Sequence, residues 1–161
     1  MRTWIIRIIL LDFIVTAIWF GVPFLKSPGT QALEQHQRFI AFGGNRNWGR
    51  VLALMSVDYR DAWGMKREEA VSLAHELLQG FIALDFQWQP VGVEVKGKTA
   101  TVTGFIKASG TGGGFSAEII SRINALHEPF VFTWRKDGWK PGDWKLTGIS
   151  QPELAATGLE H

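Results

Sequence analysis

Tyr59 and Asp61 stand two apart in the segment VDYRDAWG, residues 57–64. On an extended backbone, residues i and i+2 share a face. A carboxylate beside a phenol can do acid/base work. The carboxylate takes a proton while the hydroxyl donates to the oxygen that gains charge. Asp58 is the other acid in this segment, but as Tyr59's direct neighbour it points to the opposite face. The same pair equally suits a silent role, with Tyr59 packed in a core and Asp61 closing a turn. His75, inside REEAVSLAHELL (67–78), is a further titratable candidate, and mid-helix it suits half-buried packing as well. His127, before Glu128-Pro129, reads as a loop residue. The stretch Gly110-Thr111-Gly112-Gly113-Gly114 lacks the Lys-Ser/Thr that completes a phosphate-binding loop, and reads as a flexible hairpin loop.

Other chemistries are excluded by composition. The chain has no cysteine, so it has no thiol nucleophile, disulfide or cysteine–zinc site. Its 4 His show no metal-ligand spacing, and no cofactor motif is present. The formal net charge is +2. Arg2, Arg7, Lys26 and Asp12 account for that excess; without them acids and bases are equal in number. A neutral remainder without a basic run gives no support to nucleic-acid binding.

Residues 4–25, WIIRIILLDFIVTAIWFGVPFL, are long and apolar enough to cross a bilayer as a helix. Their Ile, Leu, Val and Phe contribute roughly −4 to −8 kcal/mol to insertion, against about +2.5 to +3.5 for Asp12. Arg7 can snorkel to the headgroups. The basic start also suits a signal peptide, but no small-x-small cleavage site follows. The reading is a single-pass anchor over residues 1–26, with the domain on the extracytoplasmic side because the bases cluster at the N-terminal end. Asp12 and Thr16 lie i, i+4 on one face, where an intramembrane acid can hydrogen-bond a partner helix or a second copy. An Asp12 hydrated at one interface is the equal alternative.

After a linker at 27–30, hydrophobic spacing predicts helices over 31–42, with Thr30 as cap, then 48–55 and 66–81. The period then changes. Leu84, Phe86 and Trp88 alternate, Pro90 interrupts, and Val91, Val93 and Val95 alternate again. This predicts one long strand bent at Gln89-Pro90. A turn at Lys96-Gly97-Lys98 leads to a strand over 99–108, a glycine loop over 109–114 and a short helix over 116–126. Strands over 130–136 and 143–150 close the domain. Helices segregated from antiparallel strands give an α+β fold: a three-helix layer on a curved sheet, forming a cone. Residues 153–161 read as a disordered tail whose final Leu-Glu-His matches the start of a vector-encoded tag.

The opening helices, VDYRDAWG, REEAVSLAHELL and the ending FVFTWRKDGWKPGDWKLTGIS resemble the nuclear transport factor 2-like (SnoaL-like) family over roughly residues 30–152. The resemblance implies a pocket between the third helix and the concave sheet, lined by Asp58, Tyr59, Asp61, Trp63, His75, Asp85, Trp88 and Trp134. It also implies that a pocket Asp would shuttle protons. Related domains often pair through the sheet, so Phe130, Phe132, Trp134, Trp139 and Trp144 suit a pocket, a core or a dimer face. The family holds isomerases, dehydratases, cyclases and epoxide hydrolases beside non-catalytic binding and assembly domains, so its fold does not give its function. Two expectations follow. The first is a membrane-anchored extracytoplasmic domain that binds an apolar ligand or a membrane-protein partner without chemistry. The second is a small-molecule isomerase or dehydratase using Asp61, Tyr59 or His75.

Overall fold

The computed structural model describes residues 26–156. The apolar run at 4–25, with Asp12 and Thr16, lies outside them. Among the described residues no helix is long and apolar enough to cross a membrane.

Helix α1 (Pro28–Gly44) begins earlier than the spacing predicts. Pro28 has the pre-set φ suited to a first helical turn. The Ser27 side chain caps it, accepting from the Thr30 amide at 3.2 Å. Residues 28–30 are therefore helix rather than linker. Ala32, Gln35, His36 and Ile40 form its buried stripe. Helix α2 (Trp48–Leu54) is capped by Asn47, which accepts from the Arg50 amide. Helix α3 (Arg67–Leu78) opens with Glu68 and Glu69 in its first turn, where acids suit the helix dipole. The Glu69 carboxylate accepts from the Lys66 amide at 2.7 Å.

Among the described residues four strands form one antiparallel meander: β1 (Phe81–Lys96), β2 (Thr99–Gly112), β3 (Phe130–Lys136) and β4 (Trp144–Ser150). The β1–β2 register shifts between Pro90 and Gly92, the bend that Pro90 foretells. Gly97 makes the intervening turn at φ +60. The glycine stretch differs from its loop reading, because Ser109–Gly112 pairs with β1 as strand. A Cβ at Gly110 would strike the Ala83 backbone, so glycine lets the two strands close there.

The open edge of β4 is covered by the chain after α2. Ser56, Arg60 and Ala62 amides donate to Leu146, Thr147 and Ile149 carbonyls at 2.8, 3.0 and 3.0 Å. The core lies between α1 and the sheet, with Trp134, Trp144, Phe132, Leu146 and Val102 fully buried. Lys136 Nζ donates to Gln31 (2.8 Å) and the Gln35 amide to the Gly142 carbonyl (2.5 Å), pinning the first half of α1 to the β3–β4 hairpin. Where the sequence suggests a tail, helix α5 (Pro152–Ala156) follows, and the Glu153 carboxylate accepts from the His127 and Glu128 amides.

Strand β2 outruns β3, whose pairing stops at Gly104–Phe130. Helix α4 (Ser116–Asn124) takes over that edge. The Asn124 side chain donates to the Ala108 carbonyl at 2.8 Å and accepts from the Ala108 amide at 2.9 Å, as a strand would. Asn124→Ala is expected to cost about 2 kcal/mol, because both backbone groups of buried Ala108 lose their partner. A lower urea midpoint together with faster amide exchange at Ala108 checks this. An unchanged exchange rate there would refute the assignment.

Candidate functional site

Between the helices and the concave sheet lies a cavity of about 650 Å³. Phe39, Ile40 and Gly43 of α1 form one wall, with Trp48 and Val51 of α2 beside them. Ala70, Val71, Ala74, Leu77 and Leu78 of α3 form a second wall. Phe86, Ile106, Phe130, Phe132 and Ile149 form the sheet face, and Ile119 and Ile123 of α4 border the remaining side. The helical and strand periods place these side chains together: i, i+1, i+4, i+7 and i+8 on α3, and the alternate positions Phe130 and Phe132 on β3. Exposed Phe115 and Leu77 mark the side open to solvent.

Three polar side chains take part in the wall: Tyr59, Glu118 and Arg122. Glu118 and Arg122 pair with each other at 2.8 Å on the outside of α4, both more than half exposed. Tyr59 alone of the three is buried. Burial first, then the charge of Asp61 and a hydrogen bond to it, push the Tyr59 hydroxyl pKa up. Tyr59 and Asp61 are both buried, although the chain turns at Val57-Asp58 instead of running extended. Asp61 is committed, however. Its Oδ1 accepts from the Trp63 amide (3.0 Å) and the Met65 amide (2.9 Å), which closes the turn into α3. Asp61 is not part of the cavity wall.

The remaining candidates are placed elsewhere. His75 is exposed on α3, its ring 5.9 Å from Trp48 in a shallow outer groove, because it lies on the helix face turned away from the sheet. Asp85 is exposed, since it alternates with the inward-facing Phe86. Asp58 is exposed too. Hydrogen bonds from Arg135 (2.7 Å) and Ser56 hold its carboxyl well below the usual carboxylate range. Trp63 is half-buried in its turn and does not line the cavity. Trp88 and Trp134 also do not line it, because they pack one layer deeper. No group of three or more His, Cys, Asp or Glu among the described residues is placed to hold a metal ion.

That deeper layer holds a residue whose placement the sequence does not reveal. His36 has no solvent exposure, and neither ring nitrogen has a hydrogen-bond partner among the described residues. Its ring centroid is 4.1 Å from Trp88, 4.5 Å from Phe132 and 6.1 Å from Trp134, all edge-to-face. Burial lowers its pKa to about 3, so the imidazole is neutral. The indole Nε1 atoms of Trp88, Trp134 and Trp144 also lack partners among the described residues. A buried polar group left unpaired costs about 1–3 kcal/mol. Contacts of N–H groups with ring faces offset only part of this. The only sequence signal is a histidine on the apolar stripe of α1.

No family model and no curated protein matches the chain. Solved structures do. A candidate dehydratase of the nuclear transport factor 2-like family from Streptomyces avermitilis aligns with a TM-score of 0.56 and 16% identity, over 75% of this chain and 91% of that one. A nuclear transport factor 2-like protein of unknown function from Pseudomonas putida KT2440 aligns at 0.54 and 12%, over 75% and 82%. A candidate aromatic ring hydroxylase from Novosphingobium aromaticivorans aligns at 0.53 and 11%, over 73% and 82%. At such identities the likeness concerns architecture and not activity. Helices on a curved four-stranded meander around an apolar cavity, and these alignments over three-quarters of the chain, give the protein the nuclear transport factor 2-like fold.

Proposed function

We propose that this domain binds an apolar small molecule in its cavity and does no chemistry on it. The observation that carries the reading is the wall: about 650 Å³ enclosed almost entirely by hydrocarbon, with one buried polar side chain, Tyr59. That volume falls in the range of small-molecule pockets. Proton transfer needs a base within hydrogen-bond reach of the reacting atom. The one carboxylate in the wall, Glu118, is more than half exposed and paired with Arg122, and the buried Asp61 behind Tyr59 already accepts two backbone amides. The neutral probe N-phenyl-1-naphthylamine is expected to bind saturably at one site with enhanced fluorescence. Ala74→Trp, which fills the cavity from α3, is expected to weaken that binding by about tenfold or more while the circular dichroism is kept. Absence of saturable binding to the wild-type protein sinks the reading.

One observation favours the isomerase or dehydratase reading: Tyr59 reaches the cavity with Asp61 behind its hydroxyl. Under that reading Tyr59→Phe abolishes turnover without loss of ligand affinity. Under the binding reading it changes neither by more than a few-fold.

The same proposal places the domain on a membrane tether at 4–25, outside the cytoplasm. Protection of the domain from external protease in intact cells would refute the extracytoplasmic placement.

A further inference from the structure

The cavity and the orphaned ring layer are adjacent, and Phe132 is the partition between them. Phe132 lines the cavity, and its ring centroid lies 4.5 Å from His36 and 5.6 Å from Trp88. The layers repeat along each element. Phe86 lines the cavity, and Trp88, two residues on, lies in the orphaned layer; Phe132 and Trp134 repeat this on β3. On α1, Ile40 lines the cavity and His36, one turn back, lies in the layer. Leu or Phe would fill these positions without orphaned nitrogens. Buried polar atoms without partners at the foot of a ligand cavity are therefore groups waiting for a partner.

We propose that this layer is the polar anchor of the cavity: the indole N–H groups of Trp88 and Trp134, with the His36 ring, take a neutral oxygen carried at the leading end of an otherwise apolar ligand. The inference rests on the reading that the cavity binds such a molecule. Two of the three groups can only donate, so the ligand atom is an acceptor, a carbonyl or hydroxyl oxygen. A carboxylate is disfavoured, because full burial away from water penalises the charge and the surrounding side chains offer no counter-ion. Contact requires the Phe132 ring to turn aside, and the empty volume next to it gives it room. Neutral His36 can donate from one nitrogen, and its burial keeps it neutral across the physiological range. The ligand class is thus a hydrophobic alcohol, ketone or ester of small-molecule size.

Matched probes test this: 2-acetylnaphthalene and its near-isostere 2-isopropenylnaphthalene, which has CH₂ in place of the ketone oxygen. The wild-type protein is expected to prefer the ketone by about tenfold, the worth of one or two hydrogen bonds made to previously unpaired groups. His36→Phe is expected to reduce that preference to about twofold or less while binding the alkene as before. On the wild-type protein, the ketone but not the alkene is expected to shift the indole N–H resonances of Trp88 and Trp134, a readout that does not depend on the variant folding. If both probes bind equally, or the indole resonances respond alike to both, the anchor is refuted and the apolar cavity stands. If neither probe binds, both readings fall.

Discussion

Lowering the pH from 6.5 to 3 is expected to remove about 4 kcal/mol of stability through His36 alone. Its folded-state pKa is about 3 against an ordinary value of 6.5. Above pH 6.5 neither the folded nor the unfolded chain holds the proton, and His36 adds no pH dependence. Below it the unfolded chain takes a proton that the folded one refuses, so stability falls by about 1.4 kcal/mol per pH unit. The fall ends near pH 3, where the folded form protonates as well. Against a typical total of about 5–15 kcal/mol, this alone brings the domain close to acid unfolding. The measurement is urea denaturation of wild type and His36→Phe from pH 7 to 3. The variant should be the more stable of the two at pH 4, and the difference between the curves isolates this residue from every carboxylate. Parallel curves would mean that His36 has a hydrogen-bond partner or access to water.

Trp134→Ala is expected to cost about 3–5 kcal/mol at neutral pH. Trp134 has no exposure and contacts the rings of His36 and Phe39, both at 6.1 Å. Its strand is paired on both sides, to Ala100 of β2 and Leu146 of β4, so neighbouring backbone cannot collapse into the space left behind. A urea midpoint lowered with an unchanged m-value would confirm a loss of packing in an intact fold. A loss below about 1 kcal/mol would show that the layer is loosely packed. This variant also removes one proposed anchor donor, so its probe preference should fall with that of His36→Phe.

The bend in β1, the β1–β2 turn and the order of helices and strands are all legible in the sequence, because each depends on neighbours a few residues apart. Pro90 cannot continue an undistorted ladder, Val93 and Val95 alternate, and the α3 stripe repeats at helical period. Parity is a poorer guide at Tyr59 and Asp61, because the chain turns at Val57-Asp58 and only Tyr59 reaches the cavity. At Asp85 the rule holds: the alternation of Leu84, Phe86 and Trp88 already turns it outward. The glycine stretch is less legible, since Gly110 and Gly112 look like loop residues but serve a close strand pairing.

The site belongs to tertiary structure. Whether Asp61 is a base or a bracket depends on where the Trp63 and Met65 amides point, and the turn aims both at its carboxylate. His75 and His36 look alike as histidines on amphipathic helices, yet one faces solvent and the other sits among Trp88, Phe132 and Trp134. Periodicity reports which face of an element is apolar. It does not report which faces meet, because that depends on strand register, on the bend at Pro90 and on how α1 lies across the sheet. By itself, then, the sequence determines an α+β chain with an apolar N-terminal run and a hydrocarbon-lined interior. Only the packing of α1 against β1 and β3 decided that this interior stays partly empty, and that its floor rests on a histidine and two tryptophans whose nitrogens have no partner.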